Sequence, residues 1–286
     1  FDNEKGFFER IDIVYQNDKF LRAQDAGWSH NVIDYDAEKA LQHKQEGKIA
    51  FNEGNTALQF LNNRRKPYWN ILQWQYIIPR IRPPYLQKDP RMCITLPTWL
   101  RLMDEKPAVL FTYRHPLEVA MSLKHREENF TIEYGLYLWT VYNMRALQNS
   151  DGSCRVTTTN EAVFNDPMTE VQRIKNELTE KCHVIPPPTQ QISEELVDEF
   201  VDPKLQHKGK ERKSGADNLA SLKDFGNGCV ARDFLSEASA NRTAEVDMYL
   251  IAMGVFCDLE NGKAFASDYE WPDLVFTRPQ NIVSDI

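Results

Sequence analysis

The sequence has no Cys-x-x-Cys pair, no His/Cys/Asp/Glu cluster with metal-ligand spacing and no internal repeat. The usual zinc frameworks are therefore excluded, and no metal is expected. Glycine-rich phosphate loops are also missing. Gly47-Lys48, Gly209-Lys210 and Gly262-Lys263 are followed by Ile, Glu and Ala, and none has a glycine five residues earlier. A Walker-type nucleotide kinase is disfavoured on that ground. No apolar run approaches the roughly 18 residues of a membrane helix, and no signal peptide is visible, so the expectation is a cytoplasmic protein without a membrane span. An excess of positive charge is lacking too. The net charge of −8 argues against a general nucleic-acid binder, whose phosphate contacts ask for a basic surface.

Five cysteines are present, Cys93, Cys154, Cys182, Cys229 and Cys257, but they are scattered. The expectation is reduced, partly buried thiols. The sequons Asn129-Phe130-Thr131 and Asn241-Arg242-Thr243, in a chain without a visible secretion signal, are expected to be chance matches. With 286 residues and 42% hydrophobic content, the chain can build one large core or two small ones.

Strand signals are few and short: Tyr85 to Gln87, Ala108 to Tyr113, and Cys154 to Thr158, each preceding a helical stretch. That alternation predicts an α/β architecture with a parallel sheet flanked by helices, in which ligands collect at the carboxyl ends of strands. Residues 1 to 24 read as a loop leading into a helix anchored by Ile11, Val14, Tyr15 and Phe20. Residues 36 to 63 suit two helices broken near Glu46-Gly47. An aromatic segment, Tyr68 to Tyr76 with Trp69 and Trp74, lies within an insertion over about 64–84. It packs on the core, forms a homodimer interface or offers a stacking surface for a sugar or aromatic acceptor. Pro186-Pro187-Pro188 opens a linker, Ser193 to Phe200 an acidic helix, and Ala240 to Phe256 a final helix. One domain is expected over 1–262, followed by an aperiodic surface tail over 263–286.

Ala108 to Leu123, AVLFTYRHPLEVAMSL, carries the most information. Its first half reads as a buried strand, and Pro116 suits the first turn of a helix, where a missing N–H costs nothing. Arg114 ends the strand, the amides of the new helix face the same point, and Ser122 follows eight residues on. An anion site is the natural result. The alternative is an arginine that caps a helix and pairs with a surface carboxylate.

This segment resembles the Arg-x-Pro…Ser motif with which sulfotransferases hold the 3'-phosphate of their nucleotide. Further likenesses occur in order: Lys5-Gly6-Phe7-Phe8-Glu9 with Asp12-Ile13-Val14, Gln87-Lys88-Asp89-Pro90-Arg91-Met92-Cys93, Gly135-Leu136-Tyr137-Leu138-Trp139 with Tyr142-Asn143, and Phe200-Val201-Asp202-Pro203. The chain thus resembles bacterial sulfotransferases, and more distantly tyrosylprotein sulfotransferases, over residues 1 to about 260. The resemblance implies a P-loop-containing, nucleotide-hydrolase-like fold and sulfuryl transfer from 3'-phosphoadenosine 5'-phosphosulfate (PAPS), with release of PAP. The acceptor would be a hydroxyl of a carbohydrate, lipid or small metabolite.

The resemblance also assigns roles. Lys88, in the Lys-Asp-Pro position, would steady the departing bridging oxygen, although a surface lysine paired with Asp89 is the other reading. Glu9 would take the acceptor proton, with His30, His115 and His125 as alternatives. His115 is expected to shape the turn and His125 to be solvated. Arg114 and Ser122 would hold the nucleotide. The basic run containing Lys208, Lys210, Arg212 and Lys213 would help, since Arg212-Lys213-Ser214-Gly215 loosely resembles the Arg-Lys-Gly that closes over the 3'-phosphate. Two departures stand out. The family's Gly-x-x-Arg-Ser-Gly-Thr loop is absent, and a segment before Phe1 is expected to supply it. Asn160-Glu161-Ala162 stands where a Tyr-Glu-Asp is common, so adenine placement would differ. The competing function is a catalytically silent, sulfotransferase-like binding protein.

Overall fold

Valine, phenylalanine and tyrosine at 109, 111 and 113 build a short strand that pairs in parallel with a second one forty-odd residues later. In this computed structural model of the 286-residue chain, residues 9, 11–45, 86–103, 106–126, 129–184, 192–195, 197, 201 and 244–274 are described. Their elements are α1 (Ile11–Arg22), α2 (Ala37–Gln45), α3 (Met92–Leu102), β1 (Val109–Tyr113), α4 (Pro116–Arg126) and α5 (Ile132–Asn149). Then follow β2 (Arg155–Thr159), α6 (Asn160–Asn165), α7 (Pro167–Glu180), α8 (Ala244–Glu260) and a 3-10 turn, Lys263–Phe265. β1 and β2 run parallel, with Val109 opposite Arg155 and Tyr113 opposite Thr159. Parallel neighbours need a crossover, and α4 with α5 supply it. The result is an α/β fold with a small parallel sheet flanked by helices.

Helix α5 is the central support. Thr131 caps it, its side-chain oxygen accepting from the Tyr134 amide at 3.1 Å. It packs against α3, α4 and α8, and Gly135 permits the α4 approach. A Cβ there would lie 2.7 Å from the Ala120 Cα, closer than side chains tolerate. Helix α8 is apolar around its circumference, as a helix inside a core should be. Met248, Tyr249, Ala252, Met253, Val255 and Leu259 join Phe111, Tyr113, Leu136 and Trp139 in one buried cluster.

Helix α7 lies antiparallel along β2. Asp166 caps it and Pro167 fills its first turn. Arg173 grips Glu170 with Nε at 2.8 Å and Nη2 at 2.5 Å, and the same Nη2 reaches the Thr157 carbonyl of β2 at 2.6 Å. Thr158 donates to Glu170 at 2.5 Å. Hydrogen bonds from Arg173, more than its Coulomb attraction, hold the Glu170 carboxyl below its usual range.

Several expectations are corrected. Cys154 and Cys182 are not thiols but a disulfide, with Cα atoms 5.4 Å apart across 28 residues. The cause is geometric: a fourteen-residue helix spans about 21 Å and returns along a strand of about 17 Å, so the end of α7 meets the start of β2. Leu86 and Gln87 form no strand, and Leu86 is 82% exposed. Tyr15 is an exposed residue rather than an anchor, because the inward stripe of α1 is Ile13, Gln16, Asn17 and Phe20. β1 is buried on one face only, with Leu110 outward. The stretch after Gly262 packs on the core through Ala264, Phe265, Tyr269, Trp271 and Leu274. The expected helix over 240–256 appears as α8, four residues later at its end. The aromatic insertion, Cys229 and the second sequon lie outside the described residues. No described helix is long and apolar enough to cross a membrane.

Candidate functional site

Lys88 and Glu9, 79 residues apart in sequence, meet: Lys88 Nζ donates to Glu9 Oε1 at 2.6 Å. The lysine side chain is 52% exposed and the glutamate 18%. The pair therefore stands at the surface with its carboxylate half sheltered.

The backbone beneath Lys88 is held by a buried polar network. Asp89 is nearly inaccessible, and its Oδ1 accepts from the Arg91 amide at 3.0 Å and from Arg91 Nη1 at 3.1 Å, pinning the turn into α3. Its Oδ2 accepts from Asn17 Nδ2 at 2.8 Å. Asn17 Oδ1 in turn accepts from Thr95 and from the Trp99 indole, both at 2.7 Å. Arg91 Nε lies 2.7 Å from Asp18. Burial alone would lower the Arg91 pKa, but Asp89 and Asp18 outweigh it and hold it above its ordinary value. Burial raises that of Asp18, with Arg91 and Arg22 opposing.

Arg114 leaves the carboxyl end of β1, where expected, and Pro116 opens α4. Its Nε is paired with Glu118 at 2.6 Å, one turn into the helix. Its guanidinium is partly sheltered, and burial lowers its pKa while Glu161 acts against that. Ser122 is exposed and lies one turn beyond Glu118 on the same stripe of α4. The new helix does not offer all its first amides. Leu117 N–H donates to His115 Nδ1 at 3.3 Å, and Glu118 N–H to the His115 carbonyl at 3.1 Å. His115 thus shapes the turn, its ring 5.1 Å from that of Phe256. His125 is exposed with Lys124 and Arg126. His30 packs its ring against Gly27.

Helix α5 joins the two motifs. The Trp139 indole donates to the Arg114 carbonyl at 2.9 Å. One turn on, the Tyr142 phenol donates to the Trp28 carbonyl at 2.6 Å, and burial raises its pKa. Helix α5 thus braces the Arg114 strand end through Trp139 and packs against α3, the helix that follows the turn of Lys88. Lys208, Lys210, Arg212 and Lys213 lie outside the described residues. Asn17 escaped sequence reasoning. Its signal was a polar residue on an otherwise core-facing stripe, but nothing local names its partners.

No protein-family model, no curated protein and no solved structure matches the chain.

Proposed function

We propose that this chain is a PAPS-dependent sulfotransferase of P-loop-containing, nucleotide-hydrolase-like fold, acting on a hydroxyl of a carbohydrate, lipid or small metabolite. The observation that supports this reading best is the 2.6 Å approach of Glu9 and Lys88, the two residues to which the resemblance assigns the two halves of one proton-and-charge transfer. In the reaction the acceptor oxygen attacks sulfur, its proton passes to Glu9, and the bond from sulfur to the bridging phosphate oxygen breaks. Lys88 steadies the negative charge left on that oxygen. An acceptor hydroxyl entering between the two side chains would replace their mutual hydrogen bond with one to each. The pinned Asp89 turn favours the same role, since it fixes the stem of Lys88 while the ammonium stays accessible.

The nucleotide is a substrate, and the described residues fit one end of it. Arg114 offers guanidinium donors beside the α4 stripe that carries Ser122, a combination suited to a 3'-phosphate. To bind there, the phosphate must compete with Glu118 for Arg114. That same pairing supports the second reading, a catalytically silent binding protein, because Arg114 already has a carboxylate partner.

Calorimetric titration with 3',5'-adenosine bisphosphate, with 5'-adenosine monophosphate as control, separates the readings from a chain without a nucleotide site. The proposal expects selective binding of the bisphosphate. Lys88→Ala should then lower turnover by about 10²-fold or more with affinity nearly unchanged, while Arg114→Ala should weaken binding about tenfold. Binding without turnover on any hydroxyl acceptor supports the silent protein, and no binding overturns both.

A further inference from the structure

We propose that Asn129 is an N-linked glycosylation site and that the chain matures in an oxidising compartment. The sequon Asn129-Phe130-Thr131 occupies the turn between α4 and α5. Asn129 is exposed, and its side chain makes no hydrogen bond to another described residue. Phe130, next to it, is only 5% exposed, its ring 5.6 Å from Trp28 and 5.1 Å from Tyr134. The buried phenylalanine anchors the turn, and the asparagine stays outside. A glycan there displaces nothing from the core.

The second observation is independent of the first. Cys154 and Cys182 are joined, and structural disulfides persist where the surroundings oxidise thiols and are rare where glutathione keeps them reduced. Those oxidising compartments are also where oligosaccharide is transferred to sequons. Two features that look incidental in a cytoplasmic chain therefore agree on one setting, against the cytoplasmic expectation.

The chemistry balances with a polyisoprenyl-diphosphate oligosaccharide as co-reactant. The Asn129 amide nitrogen forms a bond to the anomeric carbon, the bond from that carbon to the diphosphate breaks, and the amide loses one proton. Thr131 is needed at that moment for its hydroxyl and afterwards caps α5, so one residue serves both events in order. The site stays clear of the candidate nucleotide pocket. Thr131 precedes Trp139, the residue touching Arg114, by eight helical residues, about 12 Å.

The natural full-length protein, isolated from its source cells in the presence of a thiol-blocking reagent, provides the test. Peptide-N-glycosidase digestion in heavy-oxygen water should convert Asn129 to labelled Asp, and the peptides of Cys154 and Cys182 should be recovered cross-linked and unblocked by the reagent. In the same host Asn129→Gln should remove one glycan, whereas Thr131→Ser, which keeps both sequon and cap, should not. Recovery of unmodified Asn129, a glycan confined to Asn241, or blocked Cys154 and Cys182 overturns the proposal.

Discussion

Lys88 and Asp89 are adjacent, yet removing the Lys88 side chain and removing the partner of Asp89 should have opposite consequences for folding. The ion pair of Lys88 with Glu9 stands at the surface with its lysine half exposed, and surface pairs contribute under about 1 kcal/mol. Lys88→Ala should therefore unfold at nearly the wild-type denaturant midpoint while losing turnover. Asp89 depends on Asn17, which is buried and serves three partners at once. Asn17→Ala leaves the Asp89 carboxylate short of a donor and strands the Trp99 indole N–H, so it should cost about 2–4 kcal/mol in urea unfolding. A change below about 0.5 kcal/mol would show that the network is not what holds the turn. Glu9 has the same dual standing as Lys88: its worth to folding is small, and any effect of Glu9→Gln should appear in turnover.

Elements are joined by a few strong polar contacts as well as by apolar packing. Glu170 shows this for α7 and β2, since it receives Arg173 and Thr158 together. Its carboxyl titrates lower in the folded state than in the unfolded chain, chiefly through the Arg173 hydrogen bonds. The unfolded state thus binds the proton more readily. The stabilisation is complete above the ordinary glutamate range and is lost as pH falls through the lowered folded value. Glu170→Gln should flatten the acid limb of the stability profile and leave less stability near pH 7. An unchanged acid limb in pH-dependent thermal unfolding would remove Glu170 from the account. Helices α4 and α5 use the other means, close approach at Gly135 and Ala120, and this contact places the Arg114 strand end against Trp139.

Across the whole molecule the disulfide joins residues 28 apart in sequence and should add about 3.6 kcal/mol by restricting the unfolded chain. The Cys154→Ala/Cys182→Ala pair should lower the melting temperature by several degrees, and reductant should then have no further effect on the variant. Exchange with Cys93 is disfavoured, because burial pushes that thiol up to about 12 and keeps it protonated. Equal melting of variant and wild type under oxidising conditions would mean that the bond is not formed in solution.

Much of the architecture was legible along the chain because it is written in local rules. Strand signals placed β1 and β2 within a residue of their observed bounds, with β-branched and aromatic character marking β1, Pro116 marked the start of α4, and strong periodicity marked α5. The candidate site was legible only as separate pieces. Motif order proposed Glu9 and Lys88, but their 2.6 Å meeting depends on α1 packing against α3, which no window of sequence contains. Tyr15 and Leu86 failed because apolarity alone does not say which face turns inward. The pairing of Cys154 with Cys182 and the partners of Asn17 belong to the same class. Local preference chooses helix, strand and turn through contacts a few residues apart, whereas a disulfide, a buried amide and an ion pair across 79 residues are chosen by which surfaces the folded chain brings together.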